Sequence, residues 1–151
     1  LGLAGLVLGL EALRAAWVSP ASESDLAPGA IPIYLDGKLA AHFSPEDLKQ
    51  LSVVSFEDAE ESKTQSGWLL SEVLELYLPP VALDSGTRIQ VSSSSNGKSV
   101  ELTWDEVAKL DNYVLFDLSG RGTLKLVSTL ERLDVRDEWV QDVDRIEVFL
   151  P

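Results

Sequence analysis

The chain has 151 residues, 25 of them acidic against 12 basic, so a composition that is 45% hydrophobic carries a net charge of −13 at neutral pH. That length holds one domain with a short appendage, and a field of that sign repels nucleic acid and anionic headgroups while attracting basic proteins and cations. Cysteine is absent and His42 is the only histidine, which excludes disulfides, thiolate and iron–sulfur sites, cysteine nucleophiles and any site built on several histidines.

Leu1 to Val18 reads LGLAGLVLGLEALRAAWV, interrupted only by Glu11 and Arg14. Crossing a bilayer takes about 20 largely apolar residues, so the run is short but close. A chain that begins at Leu1 and contains no methionine is expected to continue upstream. Glu11 and Arg14 share a helical face at i, i+3 and can pair. Arg14 can also snorkel, and Trp17 suits the headgroup belt. Three readings compete: a signal peptide cleaved near Ser19-Pro20-Ala21, a retained signal anchor, and a soluble amphipathic helix. The last fits poorly, because residues 1–10 are apolar all round rather than along one stripe. The retained anchor is the expectation taken forward. It makes 1–18 a single transmembrane helix, with Leu6, Leu10, Arg14 and Trp17 as its membrane residues, and puts the soluble domain outside the cytoplasm, in a periplasm or its equivalent.

Residues 19–30 (SPASESDLAPGA) read as an extended linker, and 31–151 as the soluble domain. The domain opens with a hairpin: Ile31 to Leu35 and Lys38 to Phe43 flank Asp36-Gly37, a dipeptide that supplies the positive φ of a tight turn. Ser44-Pro45-Glu46-Asp47 then starts a helix, with Ser44 as N-cap and Pro45 at the first helical position. A strand is expected around Val53 to Phe56, then a polar loop from Glu57 to Gly67. Leu69 to Leu78 carries a helical apolar stripe stopped by Pro79-Pro80.

Arg88 to Ser92 and Ser99 to Leu102 read as strands joined by a serine-rich turn at Asn96-Gly97. Thr103-Trp104-Asp105-Glu106 is a capping box opening a helix to about Leu110. Tyr113 to Leu118 and Leu124 to Val127 are apolar strands on either side of Ser119-Gly120-Arg121-Gly122-Thr123. An acidic, helical or looped stretch follows, and Val143 to Leu150 closes as a strand. The expected class is α+β: a mixed, mostly antiparallel sheet with a few short peripheral helices.

The order of these motifs resembles a known family. Gly67-Trp68-Leu69-Leu70-Ser71-Glu72-Val73-Leu74 is similar to the Gly-x-x-Leu-x-x-Leu-Leu helix start of the molybdopterin-binding domain of sulfite-oxidase-like oxidoreductases. The segment 93–99 (SSSNGKS) resembles that domain's Ser-x-Asp-Gly hairpin, and 120–127 (GRGTLKLV) its Gly-x-Pro-Leu-Arg-Leu-Val segment. Residues 138–148 (EWVQDVDRIEV) resemble its terminal Lys-Trp-Val-x-x-Ile-x-Val strand. The likeness runs in order from Gly67 to Val148 and implies a short version of that fold. It would also imply molybdenum held by a cysteine and a pterin phosphate held by upstream histidines and arginines; this chain has no cysteine, and no clear counterparts precede Gly67.

Two regions could carry binding. Ser119, Gly120, Arg121, Gly122 and Thr123 could hold an anion such as a pterin phosphate, since two glycines let backbone N–H groups converge and Arg121 offers a fork. The alternative is a plain turn between strands. Acidic clusters occur at Glu57, Asp58, Glu60 and Glu61, and at Asp134, Asp137, Glu138, Asp142 and Asp144. Neither has the spacing of a calcium loop, and both read first as solvated faces and second as docking surfaces. The serine run before Asn96 reads as a solvated hairpin tip, His42 as an ordinary edge residue, and Trp68, Trp104 and Trp139 as core anchors.

These observations favour a non-catalytic, membrane-anchored accessory subunit over an enzyme. Its acidic head would assemble or dock a larger membrane complex, one of electron transfer among the options. The expected partners are integral membrane subunits through the N-terminal helix, a basic soluble electron carrier, and no nucleic acid. No metal or cofactor is expected, with molybdopterin bound by a redox accessory protein as the alternative. Acidity that serves solubility alone is the simpler reading of the charge.

Overall fold

The Asp36-Gly37 turn sets the first hairpin. Both residues hold positive φ, 48° and 83°, the twist that lets a two-residue loop return the chain antiparallel. In a computed structural model describing residues 25–57, 62–109, 113–117, 122–133 and 138–151, this hairpin pairs β1 (Ile31–Leu35) with β2 (Lys38–Phe43). The segment 1–24, with the expected anchor and the first half of the linker, lies outside the described residues.

The architecture is α+β, with mostly antiparallel strands and short helices. Ten strands form two five-stranded sheets rather than the one sheet expected from sequence. The first sheet runs β2-β1-β10-β5-β6, with β5 at Arg88–Ser93, β6 at Lys98–Thr103 and β10 at Arg145–Phe149. β1 and β10 are parallel, and the other pairs are antiparallel. The second sheet runs β3-β4-β7-β8-β9, with β3 at Val54–Glu57, β4 at Thr64–Leu69, β7 at Tyr113–Asp117, β8 at Leu124–Ser128 and β9 at Val140–Val143.

Two expectations need correction. Thr64 to Gly67 is no loop: it pairs with β3 in unbroken register and starts β4. The stretch Thr64-Gln65-Ser66-Gly67 is polar enough to read as a connection, and its pairing with β3 makes it a strand, which continues into the β7-paired Trp68 and Leu69. The terminal segment is two strands, not one. β9 belongs to the second sheet and β10 to the first, and the chain changes sheet at Asp144, whose N–H donates to Ser92 O at 3.1 Å. The helix expected after Ser44 forms at Pro45–Gln50, wound as 3₁₀ and tied at its start by the Asp47 carboxylate, which accepts from the Ser44 N–H at 2.9 Å and the Ser44 hydroxyl at 3.2 Å.

Helix α1 (Leu70–Tyr77) follows β4 directly and buries Leu70, Val73 and Leu74 before the prolines end it. Helix α2 (Trp104–Val107) is one turn, shorter than expected, with the capping box formed as its sequence requires: Glu106 N–H donates to Thr103 Oγ1 at 3.2 Å, and Thr103 N–H to Glu106 Oε1 at 3.0 Å. Both sheets feed one core. Ile33, Ile89, Val91, Ile146 and Val148 of the first meet Trp68, Leu115, Leu124, Leu126 and Val140 of the second. The indole N–H of buried Trp68 has no acceptor among the described residues.

Alternation along β8 puts Leu124 and Leu126 on that core and Lys125 and Val127 on the opposite face. There Leu69, Val127 and Trp139 make a second cluster, with Val54, Phe56 and Phe116 packed against it. Trp139 is pinned by its indole N–H, which donates to Leu133 O at 2.7 Å. The buried Lys125 ammonium lies 4.7 Å from the Phe116 ring centre and 5.5 Å from that of Trp139, so its charge faces two aromatic surfaces.

Candidate functional site

Where the chain changes sheet, three segments from distant parts of the sequence converge. They are the β5–β6 turn, the start of β8 and the β9–β10 corner. Together with residues 29–31 and Pro45 they line a cleft of about 400 Å³, bordered by Ser95, Gly122, Thr123, Asp142 and Asp144. The corner is built by Asp142, a non-glycine residue at φ 53°, a conformation that aspartate tolerates better than most residues. Asp142 Oδ1 accepts from the Thr123 hydroxyl at 2.8 Å. Asn96 Nδ2 donates to Gln141 O at 2.9 Å and lies 3.4 Å from Asp142 Oδ2. Asp144 takes the Ser94 N–H at 3.1 Å on each carboxylate oxygen and the Ser94 hydroxyl on Oδ2. Asp142 is thus fixed in direction by Thr123 and Asn96, and Asp144 by Ser94.

The structure joins two candidates that the sequence keeps apart. Gly122, exposed at φ 69°, and half-buried Thr123 belong to the proposed anion loop, while Asp142 and Asp144 belong to the acidic stretch; all four line one cleft. Ser119, Gly120 and Arg121 lie outside the described residues, as do Asp134, Asp137, Leu6, Leu10, Arg14 and Trp17. Glu138 is exposed just before β9 and is not part of the cleft lining. Sequence reasoning passed over Ser94 and Asn96 by treating the serine run as a solvated tip. Ser93 is in fact buried, Ser94 holds Asp144, and Asn96 reaches Asp142. The Asn-Gly turn was the available signal, but it announces a bend and says nothing of what the bend touches.

Among the described residues this cleft is bordered by two carboxylates, Asp142 and Asp144, and lined by no cationic side chain; Arg121, the cation of the candidate anion loop, is outside the described residues. Among the described residues no three histidine, cysteine, aspartate or glutamate side chains converge as metal ligands. The arrangement favours an ammonium or guanidinium group, which a fixed carboxylate binds by charge-assisted hydrogen bonds.

A second concavity of about 250 Å³ lies between α1 and α2, lined by Glu75, Leu78, Pro80, Leu83 and Trp104. Nearby, burial and then the Asp47 carboxylate raise the Tyr77 hydroxyl above its ordinary pKa, and its ring stacks on Phe43 at 5.3 Å. His42 is exposed on the edge strand β2, and Glu57 is exposed at the end of β3; Asp58, Glu60 and Glu61 lie outside the described residues. No protein-family model matches the chain, and no curated protein matches its sequence.

Proposed function

We propose that the chain is a non-catalytic accessory module, tethered to a membrane by the apolar run 1–18, whose acidic head docks a basic partner outside the cytoplasm. The observation that carries the docking is the pair Asp142 and Asp144, held in fixed directions at one cleft by Thr123, Asn96 and Ser94. The charge supports it. Setting aside Glu11, Glu23 and Asp25 from the 25 acidic residues, and Arg14 from the 12 basic ones, leaves −11 on residues 31–151. A rigid patch of that sign raises encounter rates with a basic protein and loses the gain as salt rises. No helix among the described residues is long and apolar enough to cross a membrane, so the tether rests on 1–18 alone.

The resemblance to the molybdopterin-binding fold fits this reading as a likeness of scaffold whose cofactor chemistry is not carried over. Full-length chain extracted in mild detergent is expected to bring an integral membrane protein with it. Extraction as a lone monomer would rule out the tethered-subunit reading. Pterin fluorescence or molybdenum in the same material would replace it with the redox alternative.

A further inference from the structure

Two five-stranded sheets have four edges, and three of them are blunted. In β2 the pairing with β1 is broken by a bulge between Ile33 and Tyr34, and Lys38 sits on the strand. In β6 the carbonyl of Glu101 accepts from Arg132 Nη2 at 3.2 Å, and Lys98 lies at the strand's start. In β9 the register against β8 shifts, and the carbonyl of Gln141 accepts from Asn96. Bulges, lysines and capped carbonyls are the devices by which proteins prevent a free edge from recruiting another strand.

The fourth edge, β3, shows no bulge, lysine or capped carbonyl among the described residues. Its register with β4 is regular from Val54↔Gly67 to Glu57↔Thr64, it contains neither proline nor lysine, and its other side is unpaired among the described residues. Val53, just before it, is 61% exposed, and half-buried Val54 and Phe56 lie on the face that carries the Trp139 cluster. The only charge on the strand is exposed Glu57, and in sequence Asp58, Glu60 and Glu61 follow it.

We infer that β3 is a strand-addition site, which takes an extended segment of a partner protein whose side chains alternate between apolar and basic. Backbone hydrogen bonds to the free edge would supply affinity, and every second side chain would fall on the Val54–Phe56 face. Glu57 sets the sign of the partner. The net charge also disfavours a second copy of this chain, because each copy would bring −13 to the contact. The inference stands on the edge and not on the Asp142–Asp144 cleft.

The test uses the full chain in detergent and a short synthetic peptide alternating lysine and valine, followed by amide hydrogen exchange. Protection of the amides from Val54 to Glu57 is expected to rise by about tenfold or more at saturation. Val53→Lys and Glu57→Lys, both at exposed positions, should each weaken the peptide's binding by about tenfold while leaving the unfolding midpoint in place. A peptide methylated at alternate backbone nitrogens should give no protection. Equal protection by the methylated peptide, or no change at Val54 to Glu57, would overturn the inference. So would protection confined to the Asp142–Asp144 corner, which would leave the docking reading intact. Self-association abolished by Val53→Lys would also overturn it, by making a second copy the occupant.

Discussion

Thr123 and Asp142, nineteen residues apart in the chain, are joined by a 2.8 Å hydrogen bond from hydroxyl to carboxylate that fastens the start of β8 to the corner where the chain leaves the second sheet. The same Asp142 holds φ 53°, so one residue sets both the turn and the direction of the carboxylate. Replacements should separate these roles. Asp142→Asn keeps the left-handed tolerance and an acceptor oxygen, and should cost less than about 1 kcal/mol. Asp142→Ala loses the bonds and strains the backbone, and should cost about 2–4 kcal/mol. Urea unfolding of the two variants gives the comparison.

A second long tie runs from the first turn to the last strand. Asp36 Oδ1 accepts from Leu150 N at 3.0 Å, and Asp36 N donates to Val148 O at 2.9 Å, so the β1–β2 turn holds the end of β10. Asp36→Gly relaxes the positive φ but removes the carboxylate, whereas Asp36→Asn keeps both conformation and acceptor. Thermal unfolding should rank wild type and Asn together, with Asp36→Ala lower by about 1–2 kcal/mol.

The shared core predicts a single unfolding transition. Leu126 lies on the second sheet yet packs into the cluster that contains Ile146 and Val148 of the first. Leu126→Ala should cost about 2–5 kcal/mol and shift near- and far-ultraviolet circular dichroism together. Two separated transitions would mean that the sheets fold independently.

Glu106 gives the chain an acid-sensitive joint. Burial pushes its carboxyl upward, but the Thr103 backbone N–H, then the hydrogen bond and charge of Arg132, together with the Thr103 hydroxyl, outweigh that and leave it below its ordinary value. Arg132 Nη2 lies 2.9 and 3.1 Å from the two carboxylate oxygens. A depressed folded-state pKa means that the stabilisation is full above the ordinary glutamate pKa and is lost as pH falls through the lower folded value. The stability gap between wild type and Glu106→Gln should therefore be widest near neutrality and close under acid, as followed by urea unfolding across a pH series.

Local chemistry was legible in the sequence and long-range geometry was not. Asp36-Gly37 announced its hairpin, and Thr103 with Glu106 announced its cap, because each signal acts within four residues. Thr64 to Gly67 gave no such signal; its strand state comes from its partners on β3. The division between β9 and β10 at Asp144 likewise depends on Ser92 and Ser94, some fifty residues earlier. For the same reason the glycine loop and the acidic stretch could each be named from sequence, while their meeting at one cleft could not.

The central claim is that the fixed carboxylates at the cleft dock a basic partner. Its most direct test is the association rate of the full chain with a small basic electron-carrier protein, measured over a salt series for wild type and for the Asp142→Asn, Asp144→Asn double variant. Docking through this corner predicts that the double variant associates more slowly, by roughly tenfold at low salt, with a flatter salt dependence and an unchanged fold. Identical rates and identical salt slopes for the two proteins would contradict it and leave the acidity to solubility alone.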